Sequence, residues 1–316
     1  MGKLSQRSIV DKADIAVSNL ISDGGYLNPM QANRFIRDLV DQPTMLNEIR
    51  VVPMNAPKME INKIGFANRI LHAAPASGTA LIESNRAKPT TDKLTLTTSE
   101  LIAEVRIPYD VLEDNIERGQ LDATIMSMIT EHAALDLEEL LILGYTGSSD
   151  AYLATQNGVL ILGDDHNVNF VTPPTSYDVN TLFKPGVHAM PVKFLRNRNA
   201  LRFYVSHYIE TEFAASQAER ETPLGDTRIT ANYANSLSAF GVPVRPCALM
   251  PDANYILTHP QNIIMGVQRQ IQIERDKDIT TRVYIIVLTM RVALAIEETD
   301  AVVKATGLTA TGTTTY

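Results

Sequence analysis

Six histidines are spread along the 316-residue chain, at His72, His132, His166, His188, His207 and His259, and no two stand at a metal-ligand spacing. His132 has Glu131 beside it rather than one helical turn away, so a packed or solvated imidazole is the simpler reading. Asp164-Asp165-His166 offers oxygen donors of the kind a hard cation takes, yet an acidic loop reads first as a solvated turn. Glu138 and Glu139 are adjacent, and neighbours on a helix diverge instead of facing each other as the acids of a di-iron bundle do. Arg196, Arg198 and Arg202 form the densest basic group; they suit phosphates or acids on a neighbour, and an exposed turn accounts for them equally. The single cysteine, Cys247, allows no internal disulfide and reads as a buried, inert thiol. Phosphate-binding glycine loop, dinucleotide fingerprint, nucleophile elbow and zinc-protease helix are all missing. The expectation is therefore a protein that is not an enzyme, with no catalytic residues, no cofactor and no metal.

Composition narrows the class further. Hydrophobic residues make up 45% of the chain, enough for one large or two moderate domains. A net charge of -8 argues against a general nucleic-acid coat, which neutralises phosphates with Lys and Arg. The N-terminus lacks an apolar signal core, and no run of about 18 apolar residues marks a membrane span. Intracellular synthesis is the simpler reading.

The elements that must carry any function centre on 99–147. Leu101 to Ile107 alternates as a strand with one wetter face, and Pro108 stops it. Asp110 with Glu113 has capping-box spacing for a short helix failing near Gly119. From Leu121 to about Leu143, apolar residues Leu121, Ile125, Met128, Ile129, Leu135, Leu140 and Leu143 recur at helical steps, which predicts a helix roughly 35 Å long. Asp122, Glu131, Asp136, Glu138 and Glu139 are assigned to its polar face, and Gly144 to a left-handed cap. A helix of this length needs an extended partner, such as a long sheet.

Before it, residues 1–25 read as a polar arm with a possible short helix from Asp11 to Leu20, and a second short helix runs from Met30 to Val40 behind Pro29. Met45 to Ile49 reads as a turn and Arg50 to Met54 as a short strand. Lys58 to Ile64 and Lys93 to Thr97 alternate as two strands of a long excursion. An isolated hairpin is marginal in water, so it is either a flexible flap or an arm packed on another subunit. Lys63, Arg69, Arg86, Lys88 and Lys93, with Glu60, Glu83 and Asp92, suit salt bridges between neighbours; solvated strands explain them almost as well.

After the helix, Asn157-Gly158 signals a turn and Pro173-Pro174 marks entry to a second unit. Tyr177 to Met190 reads as a weak helix broken at Pro185-Gly186. Short strands at Phe203 to Ser206, Gly241 to Val244 and Tyr255 to Thr258 alternate with a helix from Tyr208 to Ala218, which predicts a compact mixed unit. Gln268 to Glu274 alternates, Arg275 to Asp278 reads as a charged turn, and Thr281 to Leu294 is the most strand-like run, a mate for Leu101 to Ile107 and a floor for the helix.

In this order the elements resemble the major capsid proteins of tailed bacteriophages, the fold named after phage Hong Kong 97. The resemblance is carried by Gly24-Gly25-Tyr26-Leu27-Asn28-Pro29, Arg50-Val51-Val52-Pro53-Met54, Ile107-Pro108-Tyr109-Asp110-Val111-Leu112-Glu113-Asp114 ahead of the long helix, Leu143-Gly144-Tyr145-Thr146-Gly147, Phe240-Gly241-Val242-Pro243-Val244 and the Tyr284 to Leu294 strand.

It implies an α+β fold with an N-terminal arm at 1–30 and an extended loop at 57–98 that overlaps a neighbouring subunit. The peripheral domain, with its spine helix, comprises 31–56, 99–174 and 263–290. The axial domain comprises 175–262, with 291–316 as its strand and the C-terminal tail. It further implies pentamers and hexamers closing as an icosahedral shell around double-stranded phage DNA, which is enclosed without sequence-specific binding. Portal and scaffolding proteins are implied partners and a decoration protein a possible one, with no membrane. The shell would be assembled in the host bacterial cytoplasm and end in the virion. Met1 close to the arm favours a separate scaffolding protein over a removed leader. Lys63, Lys88 and Lys93 lie in the loop region that some relatives cross-link, and none matches the linking lysine. The alternative is an encapsulin, a compartment of the same fold that holds enzyme cargo.

Overall fold

Long alternating runs of β-branched residues dominate the part of the chain that the computed structural model describes, residues 44–65, 70–74, 76–77, 79–86, 89–110, 121–219 and 237–308. The expected helices near 11–20, 30–40 and 110–119 and the tail beyond 308 lie outside the described residues, apart from a helical start at Tyr109 and Asp110. In chain order the strands are β1 (Arg50–Pro53), β2 (Lys58–Gly65), β3 (Thr90–Thr97), β4 (Ser99–Pro108), β5 (His166–Asn169), β6 (Arg202–Val205), β7 (Ser238–Ala239), β8 (Val242–Pro246), β9 (Tyr255–Thr258), β10 (Ile263–Asp278), β11 (Val283–Ile296) and β12 (Val302–Thr306). The helices are α1 (Leu121–Leu143), α2 (Val159–Leu162), α3 (Val179–Leu182), α4 (Lys184–Ala189) and α5 (His207–Ala218). The strands form a four-stranded sheet in the order β1-β10-β11-β4, a six-stranded sheet in the order β5-β12-β9-β6-β8-β7, and the β2-β3 ribbon.

β11 is apolar almost throughout because both its faces are covered. It pairs antiparallel with β4, Val283 opposite Pro108 through Val292 opposite Ser99. Leu288, Met290 and Val292 pack with Ile129, Ala133, Leu137 and Leu140 of α1, so the sheet is the floor of the long helix. Ala293 and Ala295, on the other face, meet Met54 and Leu96. The expected turn at Arg275 to Asp278 is strand instead: Asp278 pairs with Val283, and antiparallel pairing keeps the charged residues extended. The reversal falls at 279–282, where Asp278 Oδ1 accepts the amide of Thr280 at 2.9 Å and Arg282 takes φ 55°.

Gly144 is not the left-handed cap that its position suggests, since the positive-φ glycines are Gly241 and Gly307. It is required for space. A Cβ there would lie 2.5 Å from the carbonyl oxygens of Gln156 and Leu140, and one on Gly158 would lie 2.7 Å from that of Leu141. The Gly158 amide donates to the Gly144 carbonyl at 2.8 Å, locking the loop onto the helix end.

Around the six-stranded sheet the core is aromatic. Phe183 meets Phe203 at a tilt and Phe213 edge to face, at centroid distances of 4.6 and 4.9 Å, and the buried Tyr255 hydroxyl donates to the Leu182 carbonyl at 3.0 Å. The helix expected from Tyr177 to Met190 does break, but at Phe183; Pro185 then sits in the first turn of α4, where its missing N–H is harmless.

A second core joins helix and sheets. Met45 and Ile49 are buried with Leu141 and Ile142 of α1, Tyr204 and Ile256 of the six-stranded sheet, and Ile263 and Ile296 of the four-stranded one. Here the polar-face assignment of Glu138 fails. It is only 2% exposed, and its Oε1 accepts the Met45 amide at 2.5 Å, with the amides of Thr44 and Leu46 also turned to it. The strap at 44–50 wraps that side of the helix and replaces the water the pattern presupposed. Glu48, on the same strap, accepts the Tyr204 hydroxyl at 2.7 Å and faces Arg245 at 3.7 Å. Burial pushes the Glu138 carboxyl up, against the downward pull of the three amides.

Two outcomes follow from these contacts. Gly158→Ala must displace backbone on both sides and should lower the stability of the purified subunit by about 1–3 kcal/mol, read as a fall in Tm. Because Glu138 is raised, the folded chain holds its proton more tightly than the unfolded one. Its contribution therefore favours the fold below the ordinary carboxylate range and is lost as pH rises through the raised value. Glu138→Gln should flatten the part of a Tm profile that lies at and just above the ordinary carboxylate range; an unchanged slope would remove Glu138 from the titration.

Candidate functional site

The ribbon owes its shape to its alternation. Met59 stands opposite Leu96 and Ile61 opposite Leu94, so four apolar side chains share one face. That face packs on Met54, Ile264, Ala293 and Ala295, and Leu96 is completely buried. Lys63 Nζ reaches Glu298 at 3.4 Å, fastening the ribbon to the end of β11, and Lys93 pairs with Glu60 across the two strands at 3.1 Å. The expectation of an excursion without support in its own molecule therefore needs correcting: the root belongs to the subunit's own core.

The far part differs. Ile64 is 74% exposed, Ile70 53%, Leu71 83% and Ile82 69%. Local turns shape this part, with the Thr79 amide bonded to the Ala76 carbonyl at 2.9 Å and Arg86 Nε to the Leu81 carbonyl at 3.2 Å. Covering one such aliphatic side chain contributes about 1.5–3 kcal/mol, and the described residues leave these four largely uncovered. Arg69 and Lys88 lie outside the described residues.

The residues singled out for chemistry are scattered or already engaged. Among the described residues no group of three or more His, Cys, Asp or Glu side chains could hold a metal ion. His166 Nε2 lies 3.8 Å from Asp300, His207 Nδ1 lies 3.8 Å from Glu210, and His259 Nδ1 accepts the Gln261 amide at 3.1 Å. His72, His132 and His188 are exposed. Asp164 is met by Lys304 Nζ at 2.5 Å, so the acidic loop has its cation from within the chain. Arg202 Nη1 is spent on the Asn199 and Leu201 carbonyls at 2.6 and 2.9 Å, and Arg198 Nη1 on the Phe240 carbonyl at 3.4 Å, which splits the basic group. Cys247 is buried, and burial pushes its thiol up, with Glu138 and Glu48 adding to the effect. Glu139 is raised by burial and then by Asp136 and Asp150, near Tyr152, whose hydroxyl donates to the Asp136 carbonyl at 2.5 Å.

Sequence reasoning missed the strap's two carboxylate contacts. Glu138 stands three and four residues before the buried pair Leu141 and Ile142, on the same side of the helix, which was the available sign of burial; Glu48 had none.

No family model matches the chain. It is 43% identical over 313 residues to the putative prophage capsid protein YqbE of Bacillus subtilis (strain 168), covering 95% of this chain and 98% of that one. Among solved structures it is similar to the capsid of a native GTA particle, with a TM-score of 0.64 at 17% identity over 92% of this chain and 99% of that one. It is also similar to the satellite phage P4 procapsid that includes the size determination (Sid) protein, with a TM-score of 0.64 at 11% identity over 93% and 98%. The mature capsid of bacteriophage PhiM1 follows at 0.60 and 11% over 87% and 90%. With the prophage relative matching almost end to end, and an overall fold similar to that of phage capsids, the chain belongs to the family of phage major capsid proteins with the Hong Kong 97 fold.

Proposed function

We propose that the protein is the structural subunit of a tailed-phage or prophage shell, and that its copies assemble as pentamers and hexamers closed into an icosahedral container for double-stranded DNA. One observation carries the reading beyond family membership: the ribbon is rooted in its own subunit but presents bare aliphatic side chains at Ile70, Leu71 and Ile82. A second copy lying under them removes that surface from water. The same contact repeated around a ring makes each subunit both giver and receiver, the arrangement that generates closed symmetric assemblies. The capsid relatives favour a phage shell over an encapsulin.

In this reading the arm is 1–30, the extended loop 57–98, the peripheral domain 31–56, 99–174 and 263–290, and the axial domain 175–262 with 291–316. β11 bridges the last boundary by remaining in the four-stranded sheet to Ile296, and β5 joins the six-stranded sheet next to β12. Assembly takes place in the host bacterial cytoplasm with scaffolding and portal proteins as partners, and a decoration protein can join the finished shell. DNA is confined and not read: with a net charge of -8, the chain offers weak general attraction to phosphates, which leaves packaged DNA free to move. The work is assembly, with no turnover.

Two measurements test this. Deleting 65–90 should leave soluble, folded subunits and abolish proper shells, read by electron microscopy and sedimentation; unchanged shell yield and geometry would sink the role given to the ribbon. Leu71→Ser with Ile82→Ser removes about 1.5–3 kcal/mol of cover per residue, so the subunit concentration needed for assembly should rise tenfold or more with the subunit's Tm unchanged.

A further inference from the structure

The loop between β7 and β8 is the dipeptide Phe240-Gly241, with Ala239 paired to Val242 across it. Phe240 has φ 53° and Gly241 φ 82°. Two successive left-handed residues make the turn whose twist suits a hairpin, and Asn-Gly or Gly-Gly normally fills it. A phenylalanine in the first place is strained, because its Cβ crowds the following carbonyl and its ring offers no local hydrogen bond in return. The core does not compensate: Phe240 stays 38% exposed while Ala239 and Val242 on either side are fully buried. Strained bulky residues of this kind mark places where something other than the fold requires them. Basic groups accompany it, since Arg198 holds the Phe240 carbonyl at 3.4 Å and Arg196, also exposed, stands two residues earlier.

A cavity of about 360 Å³ opens at the same end of the sheet. β8 runs parallel to β6 and β9 antiparallel to it, so the start of β8, the start of β6 and the end of β9 lie level. Phe194, Ala200, Leu201 and Ala301 supply its apolar walls, and Glu297 and Glu298 also line it. The Phe194 wall is held in place by Lys193, whose Nζ lies 4.6 Å from the ring centroid and 3.1 Å from Asp300. The two carboxylates pair with Arg50 and Lys63 of their own chain, but Glu298 keeps half its side chain in solvent.

Turn and cavity are offset sideways by two strands, roughly 10 Å at the usual strand spacing, and Phe240 does not fill the cavity of its own chain. We propose that Phe240 is a knob that enters this cavity on a second copy of the chain, a head-to-tail contact between axial domains distinct from the ribbon. An aromatic anchor in a hole with apolar walls is the form that interface hot spots take, and Arg198 at the knob is opposite in charge to Glu298, half exposed at the hole. Each copy giving its knob to one neighbour and its hole to another makes the contact heterologous, which generates a ring where the rotation closes. The inference rests on the shell-subunit reading for its second copy.

Phe240→Asn separates this role from a structural one. Asn accepts the left-handed conformation, so the variant should melt at or above the wild-type temperature and yet lose shell yield at least tenfold. Ala200→Trp, which fills the hole, should lose assembly likewise with its circular dichroism unchanged. Joined as Phe240→Cys with Ala200→Cys in the full chain, the two sites should give oxidised ladders ending at pentamers and hexamers on a non-reducing gel. A lower melting temperature for Phe240→Asn would assign the ring to the core and overturn the proposal. Wild-type shells matched by equal shells from Phe240→Asn would overturn it while leaving the shell reading intact. A wild-type chain that forms no closed particles would remove the shell reading itself.

Discussion

The burial of β11 on both faces is the constraint on which the rest of the subunit depends. One face takes the spine helix through Leu288, Met290 and Val292; the other takes the ribbon root through Ala293 and Ala295. Small residues on the ribbon side let Leu96 and Met54 come close, and large ones on the helix side fill the space beneath α1. Remove that strand and the helix has no floor, the ribbon no root, and β4 no partner. Helix, sheet and ribbon root are thus stacked in layers, from which the far part of the ribbon projects.

A seven-residue strap complements this arrangement. Met45 and Ile49 fill a core shared by α1 and both larger sheets, and Glu138 and Glu48 add directional bonds to it. The apolar contacts supply most of the attraction, since a buried carboxylate gives back much of its hydrogen-bond energy in desolvation. What the carboxylates add is position: residues 44–48 are held at a defined place on the helix and sheet.

Periodicity in the sequence made the long elements legible. The helix from Leu121 to Leu143 could be read from three- and four-residue steps, and the β4 and β11 strands and the two ribbon strands from two-residue alternation and apolar runs. What could not be read were contacts between distant segments. Glu138 looked solvated because its cover comes from 93 residues away in sequence. Arg275 to Asp278 looked like a turn because charge, and not pairing, was visible. Gly144 looked like a conformational cap when its true demand is the nearness of Gln156 and Gly158. The candidate contact surfaces were half legible: the ribbon's alternation exposed its existence, whereas the strain at Phe240 is a property of dihedral angles and left no mark in composition.

The division of the ribbon at Gly65 gives it the mechanics of a cantilever. Its base is clamped by Leu96 and by the Lys63 to Glu298 pair, and its tip at Leu71 hangs free. A few degrees of flexing near the clamp sweep the tip through a distance that grows with its length, while the centre of the subunit stays undisturbed. In the proposed shell, identical chains would thereby reach neighbours set at the differing angles that five-fold and six-fold surroundings impose, with the adjustment taken up in one thin element.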